Sequence, residues 1–163
     1  MLFPSPLLRL AEVVLADARI AKLRITTAES CTGGLIMGLL TEVPGSSAVV
    51  DRGFVVYTNR SKEDLLNVPG DLIADMGEVS EAVARMMAEG AVENSNAQLA
   101  VAVTGIAGPG GGTSMKPVGL VHVAAAREGR SILHEEHRFG DIGRTEIRLK
   151  TIEAALTLLH RLI

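Results

Sequence analysis

Apolar residues recur at helical spacing near the start of the chain: Leu7, Leu8, Leu10, Ala11, Val14, Leu15 and Ile20. Spacings of three and four place such positions on one face, so residues 6–21 are expected to form an amphipathic helix. LRITTAE, at 23–29, is short and β-branched, as a buried strand would be. Ser30 follows, and CTGGLIMGLLTEV then reads as a helix beginning there. Its glycines lower helix propensity and suggest tight packing or the approach of a ligand. Pro44-Gly45-Ser46-Ser47 interrupts the pattern as a turn. VVDRGFVVYTN, at 49–59, predicts a second strand. SKEDLLNV, at 61–68, predicts a short helix stopped by Pro69-Gly70, and DLIADMG adds another helical turn or two.

Ser80 is a good N-cap for EAVARMMAEGAVENS, with Glu81 in the first turn, where a carboxylate suits the helix dipole. QLAVAVTGIA opens as a nearly continuous apolar run, as in a strand covered on both faces. A Gly/Pro loop occupies 105–117. VGLVHVAAA and SILHEEHRF flank Arg127-Glu128-Gly129-Arg130 and predict a hairpin. GRTEIRLKTIEAALTLLHRLI predicts a long last helix with Ile147, Ile152, Ala155, Leu156 and Leu159 on one face. The order is roughly α-β-α-β-α-α-β-β-β-α. It predicts α/β architecture: a single three-layer domain over 1–163, with a mixed, partly parallel sheet flanked by helices.

Composition narrows the function classes. The 163 residues are 47% hydrophobic and 21% charged, and only 2% are aromatic. Aliphatic side chains must therefore supply the core. A net charge of −3 and few stacking aromatics argue against nucleic acid as a partner. A single Cys allows no internal disulfide and suits a reducing compartment. Arg9, Glu12 and Asp17 interrupt the first apolar stretch, unlike a signal peptide. No apolar run reaches the ~18 residues of a membrane span, so no membrane role is expected. These features predict a cytoplasmic protein.

Ser30 stands where a strand is predicted to end and a helix to begin. Unpaired first-turn amides at Cys31, Thr32 and Gly33 could then hold an oxyanion or a phosphate. Capping alone also explains a serine there, and on local pattern capping is the stronger reading. A serine nucleophile needs a base. Neither G-x-S-x-G nor S-x-x-K is present. The nearest candidates are Tyr57, ending the second strand, and Lys62, opening the next helix; a desolvated lysine can act as base, although a solvated one is commoner. Glycines 105, 108, 110, 111, 112 and 119 crowd the loop after a buried strand, where α/β sheets bind ligands. Their amides could form an anion nest, and a plain flexible connection fits equally well. The loop matches neither a P-loop nor G-x-G-x-x-G. Cys31 is a rival nucleophile or a small packing unit. His134 and His137 fall on opposite faces of a strand, and His122 and His160 have no partner at ligand spacing. No metal and no cofactor are expected. Arg144 and Arg148 share a helix face and suit a phosphate or carboxylate, although plain solvated side chains fit as well.

The blocks TTAESCTGGLI, PGSSAVVDRGFVVYTNRSK, GEVSEAVARMMAEGA, AVAVTGIAGPGGG, KPVGLVHVA and GRTEIR, in that order from about residue 26 to 148, resemble the CinA C-terminal domain family. Full-length members carry a further N-terminal domain, and this sequence resembles the stand-alone form, a nicotinamide-nucleotide amidase. The resemblance implies hydrolysis of the carboxamide of nicotinamide mononucleotide to nicotinate mononucleotide and ammonia. It implies Ser30 as nucleophile, Lys62 as base and Tyr57 close by. Thr32, Gly33, Thr104, Gly105 and Gly108 would lie against the nucleotide, and Arg148 or Arg144 would hold its phosphate. A homo-oligomer, dimer or larger, is expected. The alternative is a non-catalytic nucleotide-binding or competence/DNA-damage-associated module, in which Ser30 is only a cap.

Overall fold

In the computed structural model, which describes residues 1–163, the central strand β3 (Leu99–Gly105) sorts its side chains by alternation. Leu99, Val101 and Val103 join one core, and Ala100 and Ala102 join another. Successive strand residues face opposite sides of a sheet, so these two cores are its two faces. β1 (Ile25–Glu29), β2 (Val50–Val55), β4 (Leu120–Arg127) and β5 (Leu133–Arg138) complete a five-stranded sheet in the order β2-β1-β3-β4-β5. β1 runs parallel to β2 and β3; β4 and β5 are antiparallel additions. The expected mixed α/β sheet and its hairpin are both present.

α1 (Ser5–Ile20), α2 (Leu35–Glu42) and α6 (Arg144–His160) cover the face of Leu99, Val101 and Val103. Their aliphatic side chains fill the larger core, and each one fully buried contributes roughly 1.5–3 kcal/mol. α3 (Asn59–Leu66), α4 (Gly70–Met76) and α5 (Glu81–Glu93) belong to the opposite core. That face is lined by alanines of β3 and β4, which let α5 approach closely. Three helices, rather than the two of the outline order, therefore separate β2 from β3. No helix is long and apolar enough to cross a membrane.

Several predicted boundaries move. α2 begins at Leu35, not at Ser30, because residues 31–34 form a turn with Gly33 and Gly34 at positive φ. β2 ends at Val55, two residues before Tyr57. α3 ends on Asn67 in the left-handed conformation, before Pro69-Gly70, and Pro69 instead starts α4. Ser80 does cap α5, accepting from the Val83 amide at 3.3 Å.

Gly90 shows how packing reaches the site. A Cβ there would overlap the carbonyl oxygen of Leu66, the last residue of α3. Gly90→Ala should gain up to about 1 kcal/mol in helix propensity. Collision with backbone should cost more, toward the upper end of about 1–3 kcal/mol. A lowered midpoint in denaturant unfolding is the expected result.

Candidate active site

The parallel strands β1, β2 and β3 all end at one edge of the sheet, and the loops leaving them converge there. Crevices at such carboxyl edges are the usual ligand sites of α/β sheets. β1 delivers Ser30, whose amide donates to Val103 O at 3.2 Å and so locks the residue against β3. β2 delivers Val56, Tyr57 and Thr58. The Thr58 hydroxyl caps α3 by accepting from the Ser61 amide at 3.1 Å. That cap sets where α3 starts and puts Lys62 in its first turns. Helical side chains lean toward the N-terminus, so Lys62 reaches back toward the strand ends.

Lys62 is fully buried. Its Nζ lies 3.4 Å from Ser30 Oγ, and it donates to Val56 O at 3.0 Å and Tyr57 O at 3.4 Å. An ammonium has three protons, and these are its three acceptors. Once neutral, the amine can still serve the two carbonyls with N–H bonds while its lone pair faces Ser30 Oγ. Burial drives Lys62 toward that state by pushing its pKa below the ordinary lysine value, against the opposing field of Glu78. Ser30 itself is 9% exposed and lines the cleft above it.

Ser30 faces a cleft of about 270 Å3 lined also by Cys31, Tyr57, Glu78, Thr104, Arg144 and much of the 105–111 loop. Thr104 donates to Glu78 O at 2.7 Å, tying β3 to the segment before α5. The loop is pinned at its base by Ile106 N to Leu120 O and Gly119 N to Ile106 O. The amides of Ala107, Gly108, Gly110, Gly111 and Gly112 have no partner within the chain. Arg144 closes one side: Nη1 donates to Gly108 O at 2.6 Å and Nη2 to the Tyr57 hydroxyl at 3.4 Å.

Other expected site residues lie elsewhere. Arg148 does not line the cleft. Its Nε donates to Cys31 O at 3.1 Å and its Nη2 to Thr32 O at 3.2 Å, so its guanidinium braces the Ser30 turn from behind. Arg144 and Arg148 thus do not form one anion site. Thr32 is buried and donates to Glu29 rather than facing the cleft. Gly33 serves the turn, its amide donating to Ser30 O at 3.1 Å. Of the three amides expected for an oxyanion, those of Cys31 and Thr32 remain without a partner in the chain. Burial pushes the Cys31 thiol up to about 12, which keeps it protonated and unreactive.

Two features escape sequence reasoning. Glu78 has no pattern to mark it as a cleft residue. Glu29 reads as a strand residue, yet its carboxylate is fully buried and bonded to the start of α2. The histidines also need correction. His122 does have a partner: its Nδ1 is 2.9 Å from His134 Nε2, with the rings stacked at 5.2 Å. Pairing of His122 with Glu136 and of His134 with Ala124 in the β4–β5 ladder puts both rings on the α5 face. His160 bonds Asp17 at 2.6 Å, joining α6 to α1.

The family model of the CinA C-terminal domain matches residues 7–163. A competence/damage inducible protein from Agrobacterium tumefaciens has the same fold, with a TM-score of 0.98 and 55% identity, over 99% of this chain and 98% of that one. A CinA superfamily protein from Escherichia coli gives a TM-score of 0.92 at 29% identity, over 99% and 94%. A CinA-like protein of Syntrophus aciditrophicus is 47% identical over 142 residues, which are 86% of this chain and 33% of that protein. The chain spans about a third of the length of the curated relatives it matches.

Proposed function

Because the chain belongs to the CinA C-terminal domain family, we propose that it hydrolyses the carboxamide of nicotinamide mononucleotide to nicotinate mononucleotide and ammonia. One observation carries the reading. A fully buried lysine, made a weaker base-holder of protons by desolvation, has Nζ 3.4 Å from a serine hydroxyl at the floor of a cleft. Capping needs no such lysine.

Ser30 Oγ gives its proton to neutral Lys62 and attacks the carboxamide carbon. The tetrahedral oxyanion takes a hydrogen bond from the free amide of Cys31, a residue of the cleft lining, worth about 3–4 kcal/mol in comparable sites. Lys62 then protonates the leaving nitrogen, the C–N bond breaks, and ammonia departs. Water attacks the acyl-serine, again giving a proton to Lys62. The ester bond breaks, the Lys62 proton returns to Ser30 Oγ, and the product leaves as the acid, which gives its remaining proton to ammonia or solvent and becomes the nicotinate carboxylate. No step calls on a metal or cofactor.

Arg144, at the cleft wall, reads the phosphate in this scheme, and Arg148 holds the turn. Loss of one charge-assisted hydrogen bond costs about 1.5–3 kcal/mol. Arg144→Ala should therefore raise KM roughly ten- to a hundredfold with kcat little changed. Arg148→Ala should instead lower kcat. Steady-state kinetics on both variants separates the roles, and the opposite pattern would exchange them.

The direct test is incubation of the purified chain with nicotinamide mononucleotide, without added metal, following ammonia and nicotinate mononucleotide. Thermal stabilisation by the nucleotide with no ammonia would favour the non-catalytic binding module.

A further inference from the structure

We propose that Glu29 is a positioning residue for Ser30, its buried carboxylate holding the turn that presents the nucleophile to Lys62. The inference rests on the reading of Ser30 as nucleophile. Glu29 is the last residue of β1 and lies fully buried immediately before Ser30. A carboxylate in such a place is costly unless its oxygens are filled. They are. Oε1 accepts from Thr32 Oγ1 at 2.6 Å, from the Ile36 amide at 2.9 Å and from the Gly34 amide at 3.2 Å. Oε2 accepts from the Met37 amide at 3.0 Å and lies 3.5 Å from Thr27 Oγ1.

The Ile36 and Met37 amides are among those a helix leaves unpaired at its start. A side chain at the N-cap normally takes them. The N-cap of α2 is Gly34, which has none to offer. Glu29 reaches over the turn and takes them instead. The consequence falls on Ser30. A serine that caps a helix has its oxygen committed to amides. Here those amides are already occupied, and Ser30 Oγ stays against Lys62 Nζ. Arg148 fixes the same turn through the carbonyls of Cys31 and Thr32. The turn is thus held by an anion on its amides and a cation on its carbonyls, while the Cys31 and Thr32 amides stay free.

Two substitutions separate reach from charge. Glu29→Gln keeps the length and can keep the Oε1 bonds, but its NH2 meets the Met37 amide donor to donor. Glu29→Asp keeps the charge and falls short by one methylene. The order of Ser30 reactivity should therefore be wild type, then Gln, then Asp. Misplacement of about 1 Å can cost on the order of a hundredfold in rate.

The experiment labels Ser30 with a fluorophosphonate, whose fluoride the serine oxygen displaces, and reads adduct mass against time. It is run below the melting midpoint of each variant, beside the affinity for nicotinate mononucleotide. Labelling should fall at least about tenfold in Glu29→Gln and about a hundredfold in Glu29→Asp. Nucleotide affinity should stay within about twofold, and the pH midpoint of labelling should not move, because the contacts of Lys62 are untouched. Wild-type labelling in both folded variants, or a parallel loss of nucleotide affinity, overturns the inference. If neither variant folds, Thr32→Val removes only the shortest bond and should slow labelling several-fold; an undiminished rate there overturns it equally. A wild-type Ser30 that does not react overturns this inference together with the proposed function. A reactive wild type with equally reactive variants overturns this inference alone.

Discussion

Ser30→Ala is expected to lower ammonia release from nicotinamide mononucleotide by on the order of 10^4-fold or more, with the fold intact. The magnitude follows from the loss of a covalent step, which in comparable serine hydrolases leaves only binding and oxyanion stabilisation. The intact fold follows from local contacts. Removing Oγ empties no large volume and leaves Lys62 Nζ with two of its three partners, Val56 O and Tyr57 O. The anchoring bond from the Ser30 amide to Val103 O belongs to the backbone and survives. A melting temperature within a few degrees of wild type, measured with the kinetics, distinguishes a lost nucleophile from a lost fold. Wild-type ammonia release by the folded variant would end the assignment.

Lys62→Met should lower kcat by about 10^2–10^4-fold, the usual range for a positioned general base. Methionine fills similar space without a lone pair. Two opposing terms act on stability: the cost of burying an amine disappears, and the carbonyls of Val56 and Tyr57 lose their donor. The net change should be small. The double variant with Ser30→Ala should be no slower than Ser30→Ala alone, because the two side chains act as one unit.

The lowered pKa of Lys62 also sets a direction with pH. In the proposed mechanism the neutral amine is the active form, so kcat/KM should rise with pH and level off below the 10.5 of an ordinary lysine. For stability, the unfolded chain binds this proton more tightly than the folded one. Stability from this group is thus present above the unfolded pKa and lost as pH falls through the lowered folded value. Between those values the advantage of wild type over Lys62→Met should grow as pH rises. Thermal melts of both proteins across that window provide the check, and parallel curves would show that burial does not shift Lys62.

The secondary-structure elements and much of the cleft are legible in the order of the residues. Period 3.6 marked α1 and α6, the Ser80 cap marked α5, and apolar β-rich runs marked the strands, because burial and capping each leave a local pattern in the chain. Ordered blocks resembling one family pointed to Ser30, Tyr57, Thr104, Gly105, Gly108 and Arg144, which line one cleft, and to Lys62, which touches Ser30; they pointed equally to Thr32, Gly33 and Arg148, which lie off that cleft. Tertiary structure decided what long-range polar bonds decide. Arg148 crosses 117 residues to hold the Cys31 carbonyl, so an arginine suited to a phosphate is spent on the backbone. Glu29 crosses a turn to cap α2, which moves the helix start from Ser30 to Leu35. Neither bond has a spacing that a local pattern can carry. Whether a helix-start serine caps or attacks depends on who else takes the amides, and that competitor is identified only when the chain is folded.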